Sequence, residues 1–203
     1  VAINLMAKDI DRKTIHLVLS KPLSRAQYIW GKYLGIQFFV TASLLLLALC
    51  SCLTVALLKH LYPTYFGGFT WTIFFIAICF VLLKFWVLSA VVIFFSAITT
   101  SSLITLIFSV GAYIAGVTIE EVVFYLKTEM AAQEQMISEG LKSLIEWISW
   151  ILPNFSAFDF SLEAAHGLSI SADRLLLALG YGIIYSVILL LLASLIFSRR
   201  EFN

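Results

Sequence analysis

Apolar residues in this chain fall in long blocks separated by short polar breaks. The first uncharged run is Tyr33 to Leu58, bounded by Lys32 and Lys59. At ~1.5 Å per helical residue it is long enough to cross a ~30 Å hydrocarbon core. A second block, Phe69 to Ile98, is interrupted only by Lys84. The turn "TTSS", Thr99 to Ser102, separates it from a third, Leu103 to Leu126, which carries Glu120 and Glu121 near its end. A fourth, Leu175 to Phe197, is uncharged and ends in "SRREFN". Blocks this long read as membrane spans rather than core helices. The pattern predicts an all-α, polytopic transmembrane helix bundle. It forms one membrane domain over 1–203, with spans at 28–58, 69–98, 103–126 and 172–197.

The breaks have their own character. "KHLYPTYFGG", Lys59 to Gly68, reads as a loop, because Pro63 and Gly67–Gly68 interrupt a helix. Its tyrosines suit a lipid–water boundary. The segment 127–171 differs from both loop and span. Within it Ile137, Leu141, Leu144, Ile145, Ile148 and Ile151 recur at three- and four-residue steps, one stripe on a helix. Glu134, Glu139, Lys142 and Glu146 fall mostly off that stripe, and Trp147 and Trp150 suit an interface. The expectation is an amphipathic helix on the membrane surface or capping the bundle, against the alternative of a soluble helix folded on its own loop.

Composition agrees. Apolar residues make up 62% and charged residues 12%, against about half and about a quarter in ordinary soluble domains. The net charge of +1 names no acidic partner, and no nucleic acid is expected. Cys50, Cys52 and Cys79 lie inside apolar blocks, and His16, His60 and His166 are far apart. With no CxxC or HExxH, neither a metal site nor a catalytic residue is expected. The chain starts at Val1 with no cleavable signal pattern, so a fragment or processed product is expected.

Charge distribution orients the bundle. Lys8, Arg12, Lys13, Lys21, Arg25, Lys32, Arg199 and Arg200 cluster at the two ends. Most acids, from Glu129 to Asp173, fall in the opposite loops. Short basic segments stay cytoplasmic, and four crossings return both ends to one side. The N-terminal segment and the C-terminus are therefore expected in the cytoplasm.

The stretch before the first span is basic and kinked. Ile10, Thr14 and Val18 share a helical face, while Asp11, Arg12 and Lys13 lie mostly off it. Pro22 ends this piece, since it lacks an N–H and restricts Lys21. Ser24 stands three residues before Gln27, the spacing of a capping box, so a new helix is expected to start there. Gly31 and Gly35 form a GxxxG at the mouth of the span, where two helices can approach closely. On these residues alone, two readings fit. One is a force-transmitting elbow. The other is a juxtamembrane helix resting on anionic lipid, each basic residue adding ~1 kcal/mol.

The run "LVLSKPLSRAQYIWGKYLG" resembles the signature of ABC-2 type transporter permeases, most closely the branch associated with multicopper-enzyme maturation. Leu19, Ser20, Pro22, Leu23, Ser24, Arg25, Gly31, Lys32, Tyr33, Leu34 and Gly35 carry it. "ILPNFSAFDF", Ile151 to Phe160, resembles the Pro-Asn-Phe element before the last span, and "FSRREF" the basic end. The resemblance implies an exporter-like bundle in the cytoplasmic (inner) membrane of a bacterium or archaeon. It also implies two further spans upstream of Val1, a second permease copy as homodimer partner, and a separate ABC ATPase subunit. ATP and Mg would sit on that ATPase, with no cofactor in this chain. A coupling segment at 8–27 would meet the ATPase through Asp9, Ile10, Asp11, Arg12, Lys13, Thr14, Ile15 and His16. Pro22, Ser24, Arg25, Gly31, Lys32 and Gly35 would form the hinge into the span. The segment 127–171 would form an extracytoplasmic helical cap, with Pro153, Asn154 and Phe155 as an outer gate element. The one Gly-Lys pair, Gly31–Lys32, is no P-loop, because Ala26 and Tyr33 stand where Gly and Ser or Thr are needed.

Lys84 lies near the middle of its span, where a charge costs ~2.5–3.5 kcal/mol and demands a partner or water. By helical rise its depth differs from that of Glu120 by ~6 Å, so a pair with Glu120 or Glu121 is expected. Three functions fit these readings. The first is the permease subunit of an ATP-driven exporter. The second is an ATP-driven mechanical transmitter to an extracytoplasmic protein, with no cargo. The third is an ATP-independent channel or membrane scaffold.

Overall fold

The computed structural model describes residues 25–127 and 139–199. Among the described residues six α-helices run in the order α1 (Arg25–Leu61), α2 (Trp71–Ile98), α3 (Ser102–Lys127), α4 (Glu139–Ile151), α5 (Ser161–His166) and α6 (Ala172–Arg199). Short 3-10 turns lie at Pro63–Phe66 and Ser156–Phe158. The chain is all-α, and four of its helices, α1, α2, α3 and α6, are long and apolar enough to cross a membrane. This follows from chemistry: in lipid each backbone N–H and C=O needs an internal partner, and a helix supplies it within one segment.

α2 is the hub. It is the most apolar helix and carries the largest share of the core, with Val87, Ala90, Val91 and Ile93 almost fully buried. It lies along α6, whose Leu190, Ala193 and Phe197 are equally buried. α3 returns beside α2 through a tight turn. Thr99 and Thr105 share a hydroxyl hydrogen bond there, and Phe95 stacks on Phe108. Tyr28 of α1 stacks on Phe197 of α6, marking the basal end of the bundle. Gly68 meets the backbone of His166 and Gly167 at the opposite, apical end.

α1 behaves differently from the other three. Tyr28, Ile29, Tyr33, Ile36 and Gln37 are buried, but no residue from Thr41 to Leu61 is. The helix is packed at its base and stands away from the bundle over its apical half. Lys59 and His60 complement the partial negative charge of its C-terminal carbonyls. Pro63 then starts the short turn that leads to α2.

The segment between α3 and α6 is not external throughout, as an outer cap over 127–171 would be: α4 is largely exposed, but the stretch that follows it is not. After α4 the chain leaves helical structure and enters the bundle: Phe155, Phe158 and Phe160 are 0%, 0% and 1% exposed. Non-helical backbone at membrane depth survives only when enclosed by protein, and here it is.

Candidate functional site

Two constructions stand out, one on each side of α2. The first is the base of α1. Tyr33 Oη and Gln37 Nε2 both donate to the Trp86 carbonyl of α2, at 3.4 and 3.3 Å. Trp86 Nε1 donates in return to Thr41 Oγ1 at 3.2 Å. These polar contacts cluster within about two turns of α1, just where its burial ends. Gln37 Oε1 is buried with no hydrogen-bond partner among the described residues. Beyond this junction α1 and α2 diverge, leaving an apolar cleft of about 570 Å³.

The second construction is the re-entrant segment from Leu152 to Phe160. Its backbone is satisfied almost residue by residue, as burial demands. Leu152 N–H donates to Ile148, and Pro153 has no N–H to satisfy. Asn154 N–H donates to Tyr181 Oη at 2.8 Å, and Phe155 N–H to the Gly116 carbonyl at 2.9 Å. Ser156 and Ala157 N–H both reach Asn154 Oδ1, an Asx turn. Ser156 Oγ reaches the Val117 carbonyl at 2.7 Å. The Tyr185 hydroxyl holds the Ile151 carbonyl at the end of α4.

Packing is as close as the hydrogen bonding. Phe155 lies 5.4 Å from the Tyr113 ring, Phe158 stacks on Tyr181 at 5.8 Å, and Phe160 meets Phe80 at 4.7 Å. The segment thus touches α3, α6 and α2 in turn. Gly116 allows the first contact: a Cβ there would collide with the Pro153 carbonyl and stand 2.7 Å from Phe155 Cδ2. Gly182 leaves room for Phe158 in the same way, at 3.0 Å. Gly116, Phe80 and Gly182 lie eleven, nine and ten residues from the apical ends of their helices, so each contact is ~14–16 Å deep.

The charges follow from this insertion. Lys84 Nζ lies 4.0 Å from Asp159 Oδ2 and 5.8 Å from the Tyr113 ring centre. Its partner is therefore Asp159, not Glu120 or Glu121 as expected. Depth arithmetic along helices could not reveal a carboxylate carried inward by a non-helical segment. Hydrogen bonds from Ser161 hold the Asp159 carboxyl below its ordinary value, with Lys84 acting in the same direction. Glu120 instead accepts from Asn154 Nδ2 at 3.1 Å. Glu121 is exposed on α3 and lines a shallow pocket with Glu120, Phe124 and Ser156. At the apical rim Arg174 pairs with Glu163 at 2.6 Å and covers the Phe160 ring.

Other expected residues are more scattered. Asp9, Ile10, Asp11, Arg12, Lys13, Thr14, Ile15, His16, Pro22 and Ser24 lie outside the described residues. Arg25 opens α1. Gly31 and Gly35 are exposed, and a Cβ on either would meet nothing within 4 Å, so no helix among the described residues uses the GxxxG face. Lys32 lies 5.5 Å over the Tyr28 ring. Pro153, Asn154 and Phe155 begin the re-entrant turn. The sequence reading missed Asp159, Phe158, Phe160, Gly116 and Gly182. Three phenylalanines within six residues of a segment taken as external were the available signal.

Over residues 1–202 the chain matches the family model described as ABC-2 family transporter protein. Comparison with curated proteins and with solved structures finds no match.

Proposed function

The chain belongs to the ABC-2 family of transporter proteins, and from that premise we propose that α1 is the moving part of an ATP-driven exporter. Membership makes the chain an integral membrane permease subunit that works with an ABC ATPase. In our reading the ATPase carries the ATP and Mg and grips residues 9–19 from the cytoplasm. ATP-driven closure then tilts α1. The observation that carries this is the one-sided burial of α1. Its base is fixed by Tyr33, Gln37 and Trp86, while some twenty further residues form an arm of ~30 Å with no buried residue, joined to α2 at its tip by a short turn. The helices on the other side of α2 are pinned by the re-entrant segment and serve as the fixed body.

Glu121 supports a second permease copy in this assembly. A carboxylate facing lipid is costly, whereas one at a wet seam between two copies is not. Cargo would leave past the Pro153–Phe155 turn on the extracytoplasmic side. A second reading, an ATP-driven transmitter to an extracytoplasmic protein, is favoured by α4. Trp147 and Trp150 are 74% and 87% exposed on it, and its end is tied to α6 by Tyr185.

The test pairs the full chain with the ATPase that copurifies in mild detergent. Spin labels at Ala48→Cys and Ile78→Cys, with the native cysteines replaced, should change separation on ATP binding. Charge reversal of Arg12, Lys13 and Arg25 should abolish both that change and permease-stimulated ATPase activity. An unaltered label distance in the presence of ATP would overturn the lever. Normal ATPase stimulation in the charge-reversed protein would overturn the coupling segment.

A further inference from the structure

The cleft between α1 and α2 has no role in the hydrogen-bonded junction below it. Its walls are Leu44, Leu47, Ala48 and Val55 on α1 with Phe74, Ile78 and Val81 on α2, and α5 closes its apical end. Among the described residues only Ser51 and Ser161 bring hydroxyl side chains to its lining, and Ser161 Oγ is engaged by Asp159. From Leu44 to Val55 it runs eleven residues, ~16 Å along the helix axis. That is about the ~15 Å depth of one leaflet of a ~30 Å hydrocarbon core.

The mouth of the cleft is also defined. Tyr62 and Tyr65, exposed at 55% and 85%, stand just past the end of α1, where aromatic rings mark the headgroup level. Lys59 lies one turn beyond Val55, on the same face of α1. Its Nζ sits 5.2 Å over the ring of Phe69, itself a lining residue, and makes no ion pair among the described residues. An apolar slot one leaflet deep therefore ends at an ammonium group at phosphate height.

We propose that this cleft is a binding site for one acyl chain of an anionic phospholipid, whose headgroup phosphate is held by Lys59. The tail lies between Leu44, Ala48 and Val55 on one side and Phe74, Ile78 and Val81 on the other. The charge on Lys59 selects anionic over zwitterionic headgroups. The site stands on the geometry of α1, α2, their connection and α5, so it holds whether or not the chain exports anything.

The test is native mass spectrometry of the full chain released from nanodiscs of equal parts phosphatidylglycerol and phosphatidylcholine. One phosphatidylglycerol should stay with each chain, enriched over phosphatidylcholine by about fivefold, the effect of one basic residue near a membrane surface. Lys59→Gln should erase the enrichment while one lipid remains, and Lys59→Arg should keep it. Ala48→Trp, which fills the slot, should release lipid of either kind. Equal retention of both lipids by the unaltered chain would overturn the proposal, as would undiminished enrichment in Lys59→Gln. So would displacement of the lipid by millimolar inorganic phosphate, since the tail would then contribute nothing. Disulfide capture of a second copy through Ser51→Cys, with the native cysteines replaced, would show that protein fills the slot and would also overturn it. The Lys59 pair decides the matter even if Ala48→Trp does not fold.

Discussion

On one side of α2, Phe80 and Lys84 meet Phe160 and Asp159 of the re-entrant segment, whose three phenylalanines are almost fully buried. On the other side, Phe74, Ile78 and Val81 look across an open cleft toward α1. The two flanks share one helix and nearly the same depth, yet one is locked and the other is not. The locked flank has what a rigid body needs: fully buried phenylalanines, satisfied amides, and glycines that admit close backbone contact. The open flank has apolar surface with nothing interlocked, so its helices can change separation without breaking hydrogen bonds. Their shared connection at the base sets where such motion must pivot.

The largest contrast should come from removing one side chain on each flank. Phe155→Ala should destabilise the bundle by ~3–5 kcal/mol, the cost of emptying a packed aromatic site. Leu47→Ala, on the open flank, should change it by no more than ~0.5 kcal/mol. Detergent unfolding of both variants measures this, and equal losses would erase the distinction. Next in size is Gly116→Ala, which overpacks the turn against Pro153 and Phe155 and should cost ~1–3 kcal/mol. The same substitution at Gly35, which faces open space, should be neutral or slightly stabilising by the same assay.

Lys84→Met should cost about 1 kcal/mol, since the lysine is 16% exposed but its partner Asp159 is 51% exposed, so protein encloses the pair only in part. Adding Asp159→Asn should recover most of that loss. If it does not, the two groups are not coupled. Gln37→Leu sharpens the comparison differently. Because Gln37 Oε1 is buried without a partner among the described residues, its removal should leave stability unchanged or raised. Permease-stimulated ATPase activity should fall nonetheless, because the α1 pivot is altered. The smallest effect concerns pH. Asp159 is held below its ordinary value, so its contribution is full above the usual carboxylate range and is lost as pH falls through the lowered value. Asp159→Asn should flatten that part of an acid-unfolding profile.

The four spans were legible because lipid imposes uninterrupted apolar runs of a minimum length, and Tyr33–Leu58 or Leu175–Phe197 satisfies nothing else. The end of α1 was legible from Pro63. The re-entrant segment was not. Periodicity in Leu144, Ile145, Ile148 and Ile151 reports that a helix has an apolar stripe, but not which surface the stripe meets. It says nothing about Phe155–Phe160, which has no helical repeat. Lys84 in mid-span requires a partner, but helical rise gives depths only along spans, and Asp159 is not on a span. The one-sided burial of α1 was equally hidden, because a helix facing lipid and a helix facing a cleft need the same leucines.

At the apical end a Cβ on Gly167 would collide with the Gly68 carbonyl, one on Gly68 would stand 3.1 Å from the His166 carbonyl, and Gly167 holds a left-handed φ of 65°. Bare backbone against bare backbone has no knobs to disengage. The contact can act as a plain bearing, letting one connection glide over the other while both stay seated. A swing of α1 would then reach the far connection as slip rather than as pull.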